Sequence, residues 1–227
     1  MNPFENWFQY VCRDNEHKYK EFIRRTLAPV MARGLTPIMK DPIAIFSADW
    51  LSRTFGMDVL VMIRHPAAFC SSLKVKGWQH DFTGFIRQPL LMEHLLKKFE
   101  DDIRRHASSK QDIVSQGILL YNCIYHVVDG YRRKHPEWTF VRHEDLSLNP
   151  VEEYRKIYGR IKLEFTPAVE ARILETSGPH NPAEPDGRNE FVRNSREVVD
   201  CWKRRLTDAE IGRILSGTSD TMKLFYE

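Results

Sequence analysis

Glycine is scarce where a phosphate-wrapping loop would need it. The chain of 227 residues holds 11 glycines, and within residues 1–35 the only one is Gly34. No cluster of small residues therefore joins a first strand to a first helix, which excludes a nucleotide kinase of the ordinary phosphate-loop kind. Long apolar runs are missing as well. None approaches the ~18 residues of a membrane span, and MNPFENWFQY carries aromatics and an acid where a secretion signal has basic residues and then a hydrophobic block. The expectation is a cytoplasmic protein without a membrane span. The four cysteines, Cys12, Cys70, Cys123 and Cys201, are far apart and form no CxxC, which argues against a disulfide framework and a zinc site. There is no internal repeat or heptad. A net charge of +3 is mild, and the basic tracts at 104–106 and 132–135 end predicted helices without any nucleic-acid motif, so no nucleic-acid partner is expected.

What is present is a 42% hydrophobic, 29% charged chain, long enough for one sizeable core and too short for a second full domain. The segment around which it is organised reads DVLVMIRHPAAFCSSL, residues 58–73. Its apolar run 59–63 predicts a strand buried on both faces of a parallel sheet. Arg64 ends the strand, and Pro66, with fixed φ and no N–H, opens a helix. Residues 36–40 predict a short first strand ended by the Lys-Asp-Pro turn, and 138–142 a further strand delivering His143, Glu144 and Asp145. Spacings of three and four predict helices over 16–31, 43–55, 90–106, 112–132, 151–158 and 167–175, then 196–205 around Trp202. Thr207 and Glu210 form a capping box that starts a last helix over 208–215. The long connection 177–196, rich in Gly, Pro and Asn, has the composition of a lid.

Strand ends of a parallel sheet share one edge, so Lys40, Arg64 and His143 can face one crevice. A strand running out into an arginine and a helix N-terminus suits an anion. Arg64 offers paired donors, Lys40 a point charge, His143 a ring or a donor, and Ser72, with Ser71 beside it, a hydroxyl two turns further on. Asp41 is the nearest carboxylate; it can act as a base only if burial raises its pKa, and capping the next helix is its plainer role. Ser195 and Arg196 repeat the theme before a helix N-terminus. Each of these residues also has a bland reading as turn, cap or solvated loop.

Together these segments resemble the sulfotransferase family that uses 3′-phosphoadenosine 5′-phosphosulfate, bacterial members in particular. RHPAAFCSSL is similar to the family's 3′-phosphate motif, an Arg with a Ser eight residues later. The KDP turn, FVRHEDLSLNP and NSREVVDCWKRRLTDAEI are similar to its other landmarks, so the resemblance covers 36–75 and 138–215. It implies an α/β fold, a P-loop-NTPase-like parallel sheet flanked by helices, as one domain over 1–227 with a lid at 177–196. It implies in-line transfer of a sulfonate group to a hydroxyl or amine of a small-molecule or carbohydrate acceptor, without a metal. Arg64 and Ser72 would hold the 3′-phosphate of the cofactor or of its product 3′-phosphoadenosine 5′-phosphate. Lys40 would lie toward the phosphosulfate with Asp41 as a stand-in base, His143 near the adenine, and Ser195 with Arg196 would return in the lid.

The chain departs from that family in its opening segment and in lacking an evident His or Glu base. The family's opening strand and Gly-x-x-Arg-Ser-Gly-Thr-Thr loop have no counterpart, and MNPFENWFQYV resembles the stretch that bacterial members carry after that loop. The resemblance thus implies a member beginning late, keeping partial nucleotide affinity with little or no transfer activity, since one lost oxyanion donor alone can cost ~3 kcal/mol. The alternative is a non-catalytic nucleotide-binding or protein-interaction module on the same fold, with a homodimer covering the exposed strand edges.

Overall fold

The computed structural model describes residues 13–41, 44–184 and 192–226. The predicted aromatic cluster Trp7, Phe8 and Tyr10, together with Cys12, Pro42, Ile43 and part of the predicted lid, lies outside the described residues. The fold is α/β, with helices around a small parallel sheet of two strands, β1 (Leu60–Ile63) and β2 (Thr139–Arg142). Leu60 pairs with Thr139 and Ile63 with Arg142, and the Thr139 N–H donates to the Val59 carbonyl at 3.0 Å.

Before the sheet come α1 (Arg13–Met31) and α2 (Ala48–Phe55), the latter entered through a 3-10 turn, Ala44–Ser47. Between the strands run α3 (Pro66–Lys76), α4 (Thr83–Ile86), α5 (Pro89–His94), α6 (Glu100–Ser108) and α7 (Ile113–Lys134). After β2 come α8 (His143–Leu148), α9 (Pro150–Arg160), α10 (Pro167–Ser177), α11 (Ser195–Val198), α12 (Trp202–Arg205) and α13 (Asp208–Tyr226). No described helix is long and apolar enough to cross a membrane.

The signals that start and stop these elements act as local chemistry dictates. Pro66 is the first residue of α3, and His65 caps it by accepting the Ala67 N–H on Nδ1 at 3.3 Å. Asp112 caps α7 through the Val114 and Ser115 amides, at 3.0 and 3.1 Å. The Thr207 hydroxyl accepts the Glu210 N–H at 3.2 Å while Glu210 takes the Thr207 N–H at 2.8 Å, the reciprocal cap expected from the sequence. Gly56 and Gly77 end α2 and α3 at φ of 61° and 63°, in the left-handed region that costs glycine nothing.

One core cluster joins Val61 and Ile63 of β1 to Leu119, Leu120, Tyr121 and Tyr125 of α7 and to Phe46, Phe82 and Phe85. A second brings Ala67 and Cys70 of α3 against Val114, Leu206 and Ile214. Two glycines permit this closeness. A Cβ on Gly117 would lie 2.9 Å from the Cys70 Sγ, and one on Gly217 would lie 2.9 Å from Ile118, so α3 and α13 both press on α7 where a side chain is missing.

Several expectations are corrected. The strand at 59–63 is not buried on both faces: Leu60 and Met62 are 42% and 45% exposed, because among the described residues the helices cover only the face that carries Val61 and Ile63. Residues 36–40 form no regular element and pair with no strand among the described residues. The helix over 90–106 is broken into α5, a turn and α6. Leu91, Leu96 and Ile103 are fully buried, a spacing that slips by one residue from the regular pattern and requires the break. The helix predicted to end at 215 continues to Tyr226. The predicted helix over 196–205 is two short pieces, α11 and α12.

Candidate anion-binding site

Both strands end at the same edge of the sheet, each entering a helix: β1 through Arg64 and His65 into α3, β2 directly into α8. Side chains from the other strand end and from α7 lock the β1 exit. The Arg64 N–H donates to the Tyr125 hydroxyl of α7 at 2.8 Å, and the His65 N–H donates to Glu144 Oε1 of α8 at 2.9 Å. The second carboxylate oxygen, Oε2, accepts the Tyr226 hydroxyl of α13 at 2.8 Å. His65 stacks on Trp202, with centroids 5.1 Å apart and planes 15° apart, and meets the edge of Tyr226 at 5.6 Å. Strand exit, two long helices and the docked tryptophan thus converge on one point.

At that point the Arg64 Nε is buried and has no hydrogen-bond partner among the described residues. Burial pushes its guanidinium below the ordinary value, while the charge of Glu144 pulls the other way and that of Arg205 adds to the burial. A buried donor left unsatisfied costs about 1–3 kcal/mol, more when charged. An anion supplied from outside relieves that cost. Arg205, whose side chain is only 18% exposed, brings a second guanidinium into the same field; it pairs with Glu184.

Beside Arg64 stands His143, the first residue of α8 and half-buried. Burial first, then the Arg64 charge, pushes its imidazole down to about 4, so at neutral pH the ring is uncharged. Its Nδ1 lies 3.5 Å from the Ser147 hydroxyl. Tyr121, wholly buried on α7 and tilted against Tyr125 at 4.2 Å, also has an unpartnered hydroxyl, driven well above the ordinary phenol range by burial and by its neighbours Tyr125 and Glu144.

The remaining expected residues are spread more widely. Ser72 is half-buried on α3, ~9 Å along the helix axis from Pro66 at 1.5 Å per residue. Ser71 beside it is fully buried with its hydroxyl unpartnered. Ser195 at the start of α11 donates to the Ser147 carbonyl at 2.7 Å, with the Ser177 carbonyl 3.2 Å away; its one proton is committed to tying the predicted lid to α8 and α10. Arg196 is exposed. Lys40 is exposed in the irregular segment before α2, and the Asp41 carboxylate accepts the Ala44 N–H at 3.3 Å, the capping geometry rather than that of a poised base. Among the described residues no group of three or more His, Cys, Asp or Glu is placed to hold a metal ion. Cys70, Cys123 and Cys201 are buried free thiols.

Sequence reasoning missed Tyr125, Tyr226 and Arg205 as parts of this site. Tyr125 carries the periodicity of a core residue, which it also is. Tyr226 lies past the predicted end of α13, and Arg205 is one member of a basic run; no local signal separates any of the three from its neighbours. Comparison with known proteins adds no relative: no family model, no curated protein and no solved structure matches the chain.

Proposed function

We propose that the chain binds a phosphate-bearing nucleotide of the 3′-phosphoadenosine 5′-phosphate type at the shared strand exit, on a sheet of the P-loop-like kind, as a sulfotransferase-like protein. The observation that carries this reading is the buried, unpartnered Nε of Arg64 immediately before the N-terminus of α3. Such a donor set fits a phosphate: a fork of guanidinium donors from Arg64, with the field of Arg205 behind it. Arg64 holds the phosphate, the neutral His143 lies at its side as a ring against the base, and Ser72 with Ser71 offers hydroxyls from α3. Bound 3′-phosphoadenosine 5′-phosphosulfate supplies the sulfonate for transfer to a hydroxyl or amine. Lys40 is the cation that the reading assigns to the transferring group, while Asp41, which caps the turn at Ala44, and Ser195, which ties α11 to the Ser147 and Ser177 carbonyls, hold the chain in place and take no part in proton transfer.

Calorimetric titration with 3′-phosphoadenosine 5′-phosphate tests this. The wild-type protein binds, Arg64→Ala weakens binding by about tenfold or more, and Arg64→Lys restores only part, because a charge-assisted pair contributes roughly 1.5–3 kcal/mol. No binding by the wild type, or equal binding by Arg64→Ala, overturns the reading. The second reading is a non-catalytic interaction module, favoured by the exposed Leu60 and Met62 on the open sheet face. Under it, sedimentation shows a homodimer that Met62→Glu dissociates while the nucleotide has no effect.

A further inference from the structure

We propose that Glu144 and Tyr226 form a latch that keeps the His65 amide beside Arg64 occupied from within, so that a ligand enters by displacing the Glu144 carboxylate and releasing the last turn of α13. The inference rests on the reading of Arg64 as an anion site and adds how that site is regulated.

Three observations carry it. First, Glu144 Oε1 takes the backbone N–H of His65, the residue that caps α3, at 2.9 Å. Amides at a helix N-terminus are what a phosphate uses, so this carboxylate sits where an external anion would. Second, the carboxylate on the His65 amide lies one residue along the backbone from Arg64, and its charge stabilises that guanidinium through the field without pairing with it. A carboxylate is a tolerable but incomplete substitute, since the Arg64 Nε stays unpartnered beside it. Third, Glu144 is held in place by the Tyr226 hydroxyl at 2.8 Å. Tyr226 in turn is pinned by its contact with His65 at 5.6 Å and by the Arg142 guanidinium 5.7 Å from its ring centre, while Arg142 is fixed by two 2.7 Å hydrogen bonds to Asp145. The ring that holds the carboxylate down therefore covers the strand exit.

An entering phosphate meets like charge while Glu144 remains, and takes over both the His65 amide and the Arg64 fork once it leaves. Ligand binding and the tie of α13 are thus mutually exclusive, a coupling reciprocal by linkage.

Two conservative variants test the latch. Glu144→Gln keeps an acceptor for the His65 amide but removes the competing charge, and Tyr226→Phe keeps the packed ring but removes the tie. Affinity for 3′-phosphoadenosine 5′-phosphate rises about tenfold in Glu144→Gln and about fivefold in Tyr226→Phe, within the usual range of coupling between sites. Amide hydrogen exchange over residues 220–226 quickens in Tyr226→Phe without ligand, and in the wild type when ligand is added. Equal or weaker binding by both variants, alongside a wild type that binds, refutes the latch. If no form binds the nucleotide, the anion reading of Arg64 fails, and the exchange arm alone decides the tie: faster exchange in Tyr226→Phe sustains it, unchanged exchange refutes it.

Discussion

Replacing Gly117 by alanine pits helix propensity against packing, and the structure decides which wins. Gly117 lies inside α7, where an alanine is worth about 1 kcal/mol over glycine. Its new Cβ would stand 2.9 Å from the Cys70 Sγ, 3.4 Å from the Cys70 Cβ and 3.5 Å from Leu73 Cδ1. Cys70 is completely buried, so its sulfur has nowhere to rotate without moving α3, and overpacking of this kind costs about 1–3 kcal/mol. Gly117→Ala is therefore destabilising by up to ~2 kcal/mol on balance. Gly130 supplies the control on the same helix: a Cβ there meets nothing within 4 Å, so Gly130→Ala stabilises by roughly 0.5–1 kcal/mol. Adding Cys70→Ala to Gly117→Ala removes the offending sulfur, and the double-mutant cycle shows a favourable coupling of about 0.5–3 kcal/mol. Urea denaturation with a common m-value reads the wild type, the three single variants Gly117→Ala, Gly130→Ala and Cys70→Ala, and the double variant. A Gly117→Ala variant as stable as Gly130→Ala would show that α3 and α7 do not close to this distance, and with them would go the placement of the β1 exit against Tyr125.

Tyr125→Phe keeps the ring against Tyr121 but takes the acceptor from the Arg64 N–H; stability falls by about 1–3 kcal/mol and amide exchange at Arg64 accelerates, whereas unchanged exchange there would rule out the 2.8 Å bond. Asp112→Ala removes the α7 cap and costs about 1 kcal/mol near neutral pH. Although burial works to raise it, hydrogen bonds from Ser115 and Arg213 bring the Asp112 carboxyl down to about 2; its contribution is thus complete above the unfolded value near 3.8 and disappears as pH falls toward 2, so the variant and wild-type stability curves should merge in that window. Burial brings His80 and His143 each to about 4, and the Arg64 charge also depresses His143, whereas both titrate near 6.5 when unfolded. The unfolded chain binds more protons between pH 6.5 and 4, so stability is lost as pH falls through that interval, and His80→Gln or His143→Gln flattens the loss. In an NMR titration an anion on Arg64 lifts His143 while leaving His80 still; a His143 that titrates near 6.5 without ligand would contradict its burial.

Local signals in the sequence located the ends of elements well and their faces less well. Pro66 and Thr207 act where the sequence places them, because a cap or a fixed φ is decided by a few neighbouring atoms, while Asp112, expected as the first residue of its helix, caps it from outside. The 59–63 run names a strand correctly, but which of its faces is covered depends on the helices present around it, and Leu60 and Met62 stay open. Residues 36–40 have strand-like composition without a ladder, since strand pairing is a property of two segments rather than one. The extension of α13 to Tyr226 depends on Gly217 meeting Ile118 and on Phe225 packing against Tyr125 at 5.7 Å, long-range contacts that no window of sequence contains. Of the site, Arg64 and His143 were legible from their place at strand ends. The residues that hold those ends lie 61 positions away in the case of Tyr125 and 82 positions from Glu144 in the case of Tyr226, so no local reading pairs them.

A two-stranded sheet is marginal as a platform by itself, and the geometry at its edge has to be imposed from outside. Tyr125 fixes the Arg64 backbone from α7, Glu144 joins the two strand exits through the His65 amide, and Trp202 backs the His65 ring. Each of these ties reaches Arg64 or its immediate neighbour, so a change in any of the supporting helices is transmitted to the guanidinium without touching it. Gly117→Ala, which shifts α3 against α7, should therefore alter amide exchange at Arg64 and His65 more than at Val61, although Val61 is in the core and the two exit residues are not. The opposite ordering would mean that the strand, not the helices around it, fixes where the guanidinium points.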